Sequence, residues 1–270
     1  MPTLHMRPER KELIDEISRI LKEEIGNAGH IIKYCWKVGL FAEKLIISIL
    51  GEEGCFFPVD IETLATELGI EIEERNLNEF QNENIRALNR KIGQLVIRKD
   101  SYTGQKSVTI YVDSMAPPSS RRYAIANEIV QYLLNYDAEK YYENYFIMPM
   151  CPMKMEEIAA DIFSVFLLIP MRQFLVEFAR YVKYRVSNQK IPITTEEWIR
   201  YLSERSVLSD YYVAYGYQYL RGIGYWVYQA KNADEKQMQK IKMSIEEKNE
   251  IIEWMSGYYT DECEEWLFQN

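Results

Sequence analysis

Histidine is almost missing from this chain. Its 270 residues include two, His5 and His30, both within the first 54. An imidazole-built metal site therefore has little to draw on, and no serine or cysteine has a histidine nearby to activate it, so nucleophilic hydrolysis has no support. Cysteine is nearly as scarce. Cys35, Cys55, Cys151 and Cys263 lie far apart with no C-x-x-C pair. That excludes a zinc-ribbon or disulfide framework and reads as reduced thiols in a cytosol. No glycine-rich phosphate loop is present. No long apolar run is free of charge: the most apolar one, Gly29 to Leu50, carries Lys33, Lys37, Glu43 and Lys44. Those charges favour a water-soluble helix over a membrane span. The N-terminus lacks the layout of a signal peptide. Basic excess is missing as well. The net charge is −9 and the pI about 5.1, which argues against a dedicated nucleic-acid binder.

What remains is an ordinary globular composition, 47% hydrophobic and 27% charged, in a chain long enough to bury a core. Tyrosine is abundant, with 21 residues clustered at 132–145 and 211–228; composition alone marks these segments as a candidate partner surface. Residues 7–25 read as a charged amphipathic helix, and a longer helix follows to about Leu50. Asp60 and Gly69 bracket a short helix as N-cap and C-terminal stop. Glu71–Leu77 reads as a strand. Ile92–Arg98 and Ser107–Val112 read as a hairpin around a turn at Asp100–Gln105. Residues 135–152 are Tyr-rich and irregular toward Pro149 and Pro152. Met155–Ile169 is a helix stopped by Pro170, and 173–186 is another. Thr194 to Glu197 opens a capped helix to about Leu202. Ser209 caps the next, which Gly222-Ile223-Gly224 ends at Arg221. Residues 231–256 read as one charged helix.

The chain is organised around residues 120–134. After the Pro117-Pro118 breaker, with Ser119 or Ser120 as N-cap, apolar residues run almost all round this helix: Tyr123, Ile125, Ala126, Ile129, Val130, Leu133 and Leu134. Such a helix is buried. Yet Asn127, Glu128 and Gln131 form a polar seam on it, and a buried carboxylate needs donors or a cation. The frame Asn127-Glu128-Ile129-Val130-Gln131 has the outline of an H-E-x-x-H zinc helix with the glutamate kept and both histidines replaced.

With its flanks, Arg122-Tyr123-Ala124-Ile125-Ala126 and Tyr132-Leu133-Leu134, this stretch resembles the zinc helix of the ImmA/IrrE family of metallopeptidases, R-F-x-x-A-H-E-x-x-H-x-L-L. A second family signature, E-x-x-A-[ND]-x-F-A-x-x-L-L-x-P, is similar to 157–170: Glu157, Ala160, Asp161, Phe163, Leu167, Leu168 and Pro170 fall on it, with Ser164 in place of alanine. The resemblance implies a zincin-like α+β fold, a small and mostly antiparallel sheet packed by helices. It divides the chain into a helical N-terminal extension (1–54), a peptidase-type core (55–170) and a C-terminal helical region (171–270). It also implies that Asn127, Gln131 and Glu157 stand at metal-ligand positions, that Glu128 is a vestigial general base, and that Asp161 and Arg122 support the site.

Two amides and one carboxylate are a poor zinc set, because zinc prefers imidazole or thiolate. The expected outcome is a metal-free polar network, with Glu128 accepting from Asn127 or Gln131 or pairing with Arg121 or Arg122, and Gln131 donating to Glu157. The function expected from this is a degenerate peptidase in the cytoplasm. It would use no cofactor, bind a protein partner such as a helix-turn-helix repressor in transcription regulation or a mobile element, and engage no membrane. Two alternatives stand beside it. One is an active metal-dependent endopeptidase with an atypical hard cation among Glu128, Glu157 and Asp161. The other is a DNA-binding regulator through 195–224. There Glu196, Glu197, Glu204 and Asp210 nearly cancel Arg200, Arg205 and Arg221, which favours packing or partner docking over DNA.

Overall fold

The computed structural model of the chain describes residues 8–21, 31–79, 90–136, 138, 140–146, 155–188, 194–240 and 243–256. In chain order the elements are α1 (Pro8–Arg19), α2 (Ile31–Leu50), α3 (Ile61–Glu67), β1 (Glu71–Arg75), β2 (Lys91–Lys99), β3 (Lys106–Asp113), α4 (Pro118–Leu134), β4 (Lys140–Phe146), α5 (Met155–Leu168), α6 (Met171–Ser187), α7 (Thr195–Ser206), α8 (Asp210–Asn232), α9 (Glu235–Lys240) and α10 (Ile245–Ser256). The fold is α+β, mostly helical, around one four-stranded mixed sheet in the order β1-β3-β2-β4. β1 runs parallel to β3; β2 is antiparallel to both β3 and β4.

The expected hairpin is present, with Asp100 holding its turn: the carboxylate accepts from the backbone N–H of Tyr102 and Thr103. Register places Ile72 opposite Ile110 and Ile110 opposite Leu95. In a pleated strand alternate side chains share a face, so these apolar residues form one face of the sheet and join the main core. α4 packs against this sheet and is buried from Tyr123 to Leu134. β4 lies in the Tyr-rich segment 135–152, to which the sequence reading assigned no element. Its Lys-Tyr-Tyr-Glu-Asn-Tyr-Phe run is aromatic enough for a strand but carries no clean apolar–polar alternation, so period alone did not reveal it.

Caps follow the sequence reading in part. The Asp60 side chain accepts from the Thr63 N–H at 3.0 Å, and Gly69 holds φ +78°. Thr194 and Glu197 form a reciprocal capping box. α4 departs from expectation. Its N-cap is Pro117 and Pro118 is its first residue, the position where a missing N–H costs nothing; Ser119 and Ser120 lie inside the first turn.

The C-terminal helices differ more. α8 runs through Gly222 and Gly224 to Asn232. A Cβ on Gly222 would stand 2.6 Å from Ile32 Cδ1, and one on Gly216 2.5 Å from Val165 Cγ1. These glycines let α8 lie close on α2 and α5 rather than end it. The single helix expected over 231–256 is instead the end of α8, then α9 and α10, with Asp234 capping α9 through its side chain, which accepts from the Gln237 N–H. Between α7 and α8 the turn passes through Val207 at φ +55°, an unusual conformation for a β-branched residue. Trp198, Leu202, Val213 and Leu220 from this helix pair are buried in the main core.

Two buried carboxylates tie the helices together. Glu43 on α2 accepts the Arg172 N–H at 2.6 Å, a favourable charge at the start of α6. One turn before it, Gly39 lets α2 approach Met171. Glu177 on α6 is fully buried and accepts from Tyr201 and Arg205 on α7. Cys35 and Cys55 are buried and unbridged, and burial pushes both thiols up to about 12. Among the described residues no single helix is long and apolar enough to cross a membrane.

Burial alone would raise the Glu177 carboxyl, but the Tyr201 hydroxyl and the Arg205 and Arg180 guanidiniums outweigh it and hold it below the usual range. A depressed carboxyl stabilises the fold above its unfolded value of about 4.3 and loses that contribution as pH falls through the folded value. Chemical denaturation between pH 7 and 3 should show wild-type stability falling more steeply than that of Glu177→Gln, which has no such proton to take up. Gly216→Ala should lower stability by about 1–3 kcal/mol, because Val165 is side chain packed in a core with no slack; urea unfolding measures it.

Candidate functional site

Burial and spacing define the seam on α4. Tyr123 and Asn127 are one turn apart and reach α5 together: the Tyr123 O–H and the Asn127 Nδ2 both donate to Asp161 Oδ1, at 3.3 and 3.1 Å. Asn127 and Asp161 are both buried. The amide at 127 therefore spends an N–H on a carboxylate.

Glu128 lies about 100° further round the helix and is completely buried. It abuts β2 at Gly93, where an added Cβ would stand 2.9 Å from Glu128 Oε1 and 3.2 Å from the Ala124 Cβ. Gly93 sits at a register shift in the β2–β4 pairing. The glycine is thus the space into which the carboxylate fits. The expected donors to Glu128 are engaged elsewhere. Arg121 pairs with Glu74 at 2.6 Å, Arg122 donates to the Val59 carbonyl at 2.8 Å, and Asn127 serves Asp161. Arg122 therefore ties α4 to the start of α3, and desolvation lowers its pKa.

Gln131 is buried, and the Tyr141 O–H of β4 approaches its Oε1 at 3.5 Å. Glu157 belongs to the first turn of α5, but its side chain lies outside the described residues, as do His5 and His30. The expected Gln131–Glu157 hydrogen bond falls there too. Among the described residues no three His, Cys, Asp or Glu side chains gather as a metal group.

Sequence reasoning missed the third wall of the seam. α8 lies on α2 and α5, and its first turn reaches α4. Tyr212 stacks on Tyr123 with ring centroids 3.9 Å apart and planes within 10°. Tyr219 donates to the Tyr215 hydroxyl at 3.1 Å. Burial first, then that hydrogen bond, then the Asp161 charge push the Tyr215 phenol up. Among the described tyrosines of the segment 211–228, Tyr212 is buried, Tyr215, Tyr217 and Tyr219 are partly buried against the core, and Tyr211 is 70% exposed. In the other segment Tyr132 is buried as well. The signal for α8 was in the sequence, in two glycines six residues apart inside a long aromatic helix, but glycine reads equally well as a helix stop.

No protein-family model matches the chain, and no curated protein matches it.

Gly93→Ala should destabilise by about 1–3 kcal/mol through overpacking against Glu128. The same change in a Glu128→Ala background should cost less, since the clashing carboxylate is gone. A double-mutant cycle by urea unfolding reads this coupling; additive losses would show that the two residues do not press on each other.

Proposed function

We propose that this chain is a degenerate ImmA/IrrE-type peptidase, of zincin-like fold, that acts in the cytoplasm by binding a protein partner rather than by cutting it. The observation that carries the reading is the seam itself. Its glutamate is kept at the general-base position, while the residue at the first histidine position is an asparagine committed to Asp161.

The residues present do not suit zinc. A catalytic zinc takes three protein ligands, and imidazole, thiolate or carboxylate serve it. Asn127 and Gln131 offer neutral amide oxygens, which bind zinc weakly. Without a metal to polarise a carbonyl and lower the pKa of a water, a lone buried carboxylate has no nucleophile to activate. The same amides suit a hydrogen-bonded network, since each carries both a donor and an acceptor.

Among the described residues β4 is an edge of the sheet, and it runs beside the seam through Tyr141. On this reading an extended segment of the partner adds to that edge, with main-chain hydrogen bonds supplying affinity. A DNA-binding repressor is the class of partner that the resemblance suggests.

Elemental analysis of protein purified without a histidine tag or chelator should find no stoichiometric zinc, manganese or iron. The Asn127→His/Gln131→His variant should gain zinc. Partner capture should withstand both chelator and Glu128→Gln. Stoichiometric metal in the wild-type chain, or a partner released by chelator, would overturn the reading.

A further inference from the structure

Outside the seam, the richest cluster of charged groups lies where α6 meets α7. Glu177 is fully buried, and both of its oxygens are served. Oε1 accepts from Gln173 Nε2 at 2.9 Å, from Arg180 Nη1 at 2.8 Å and from Arg205 Nη2 at 3.2 Å; Oε2 accepts from the Tyr201 hydroxyl at 2.8 Å. Two guanidiniums thus converge on a single carboxylate oxygen, leaving one positive charge in excess. Their side chains are 62% and 48% exposed. Each guanidinium carries five N–H donors. Among the described residues Arg180 and Arg205 have no partner other than Glu177.

Among the described residues no carboxylate other than Glu177 bonds to the pair. Glu197 is taken by Arg185 at 2.9 Å, and Asp210 accepts from Ser203. Glu204, exposed beside Arg205, makes no ion pair among the described residues, and Lys183 adds a further exposed cation on α6 three residues beyond Arg180.

We propose that Arg180 and Arg205 form a binding site for a phosphoryl dianion. Glu177, held by Tyr201 and Gln173, fixes one edge of each guanidinium and leaves the rest to solvent. That is the arrangement in which planar forks bind phosphate oxygens well: the donors are pre-positioned, and each fork can address a different oxygen of the same group. A chloride ion is a single atom and has no pair of oxygens with which to bridge the two forks. Free phosphate and a phosphorylated side chain present the same dianion, and their sources separate by experiment. The site stands apart from the seam and does not depend on the peptidase reading.

The test is titration of the full chain with inorganic phosphate at constant ionic strength, followed by calorimetry and thermal melting. Saturable binding is expected, with a rise in melting temperature beyond that given by chloride. Arg180→Gln should weaken binding at least tenfold. Its melting temperature in phosphate-free buffer should stay near wild type, because Glu177 keeps Arg205, Tyr201 and Gln173. Arg180→Lys should recover part of the affinity. A phosphoserine peptide that displaces inorganic phosphate and binds more tightly assigns the site to a phosphorylated side chain; a peptide that fails to displace it assigns the site to the free ion. A phosphate response no larger than that of chloride, or wild-type binding by Arg180→Gln, overturns the proposal.

Discussion

The constraint on which the rest of this structure depends is the burial of polar side chains on α4. A helix buried from Tyr123 to Leu134 cannot leave an amide or carboxylate to water, and an unmatched one costs on the order of 1–3 kcal/mol. Each therefore has to find a wall that suits it. Asn127 meets Asp161 on α5, Glu128 meets the glycine gap in β2, and Gln131 meets Tyr141 on β4. The sheet, α5 and α8 are placed so that these meetings occur around one helix.

Close packing then asks for glycine wherever backbones converge. Gly93 admits Glu128, Gly216 admits Val165, Gly222 admits Ile32 and Gly39 admits Met171. None of these four needs a left-handed conformation; the demand is for space. Carboxylates complete the assembly where helices meet end-on or cross. Glu43 closes the start of α6, and Glu177 joins α6 to α7. Because one core cluster of the described residues takes in members from Ile14 to Ile251, the helices before and after the sheet are part of the same packed body as α4.

On our reading the seam keeps its shape while its chemistry changes. An imidazole exchanged for an amide keeps a polar group of moderate size on the helix but gives up the strong nitrogen ligand. The amide satisfies a carboxylate directly, so a network can hold α4 and α5 together without a metal between them. Tyr212 stacked on Tyr123 covers one flank of that network.

The sequence by itself determined the local elements. The hairpin, the capped helices at Asp60 and Thr194 and the buried character of α4 follow from period, turn chemistry and caps, which act within a few residues. It also determined which polar residues had to be matched inside the protein. Which partner each one found was decided only by tertiary structure. Nothing local distinguishes a glycine that ends a helix from one that admits a neighbour, and Gly222 did the second. Nothing local brings Tyr212 to Tyr123 or Arg205 to Glu177, since these contacts join different helices, and they form because the apolar faces of those helices must be buried in one core.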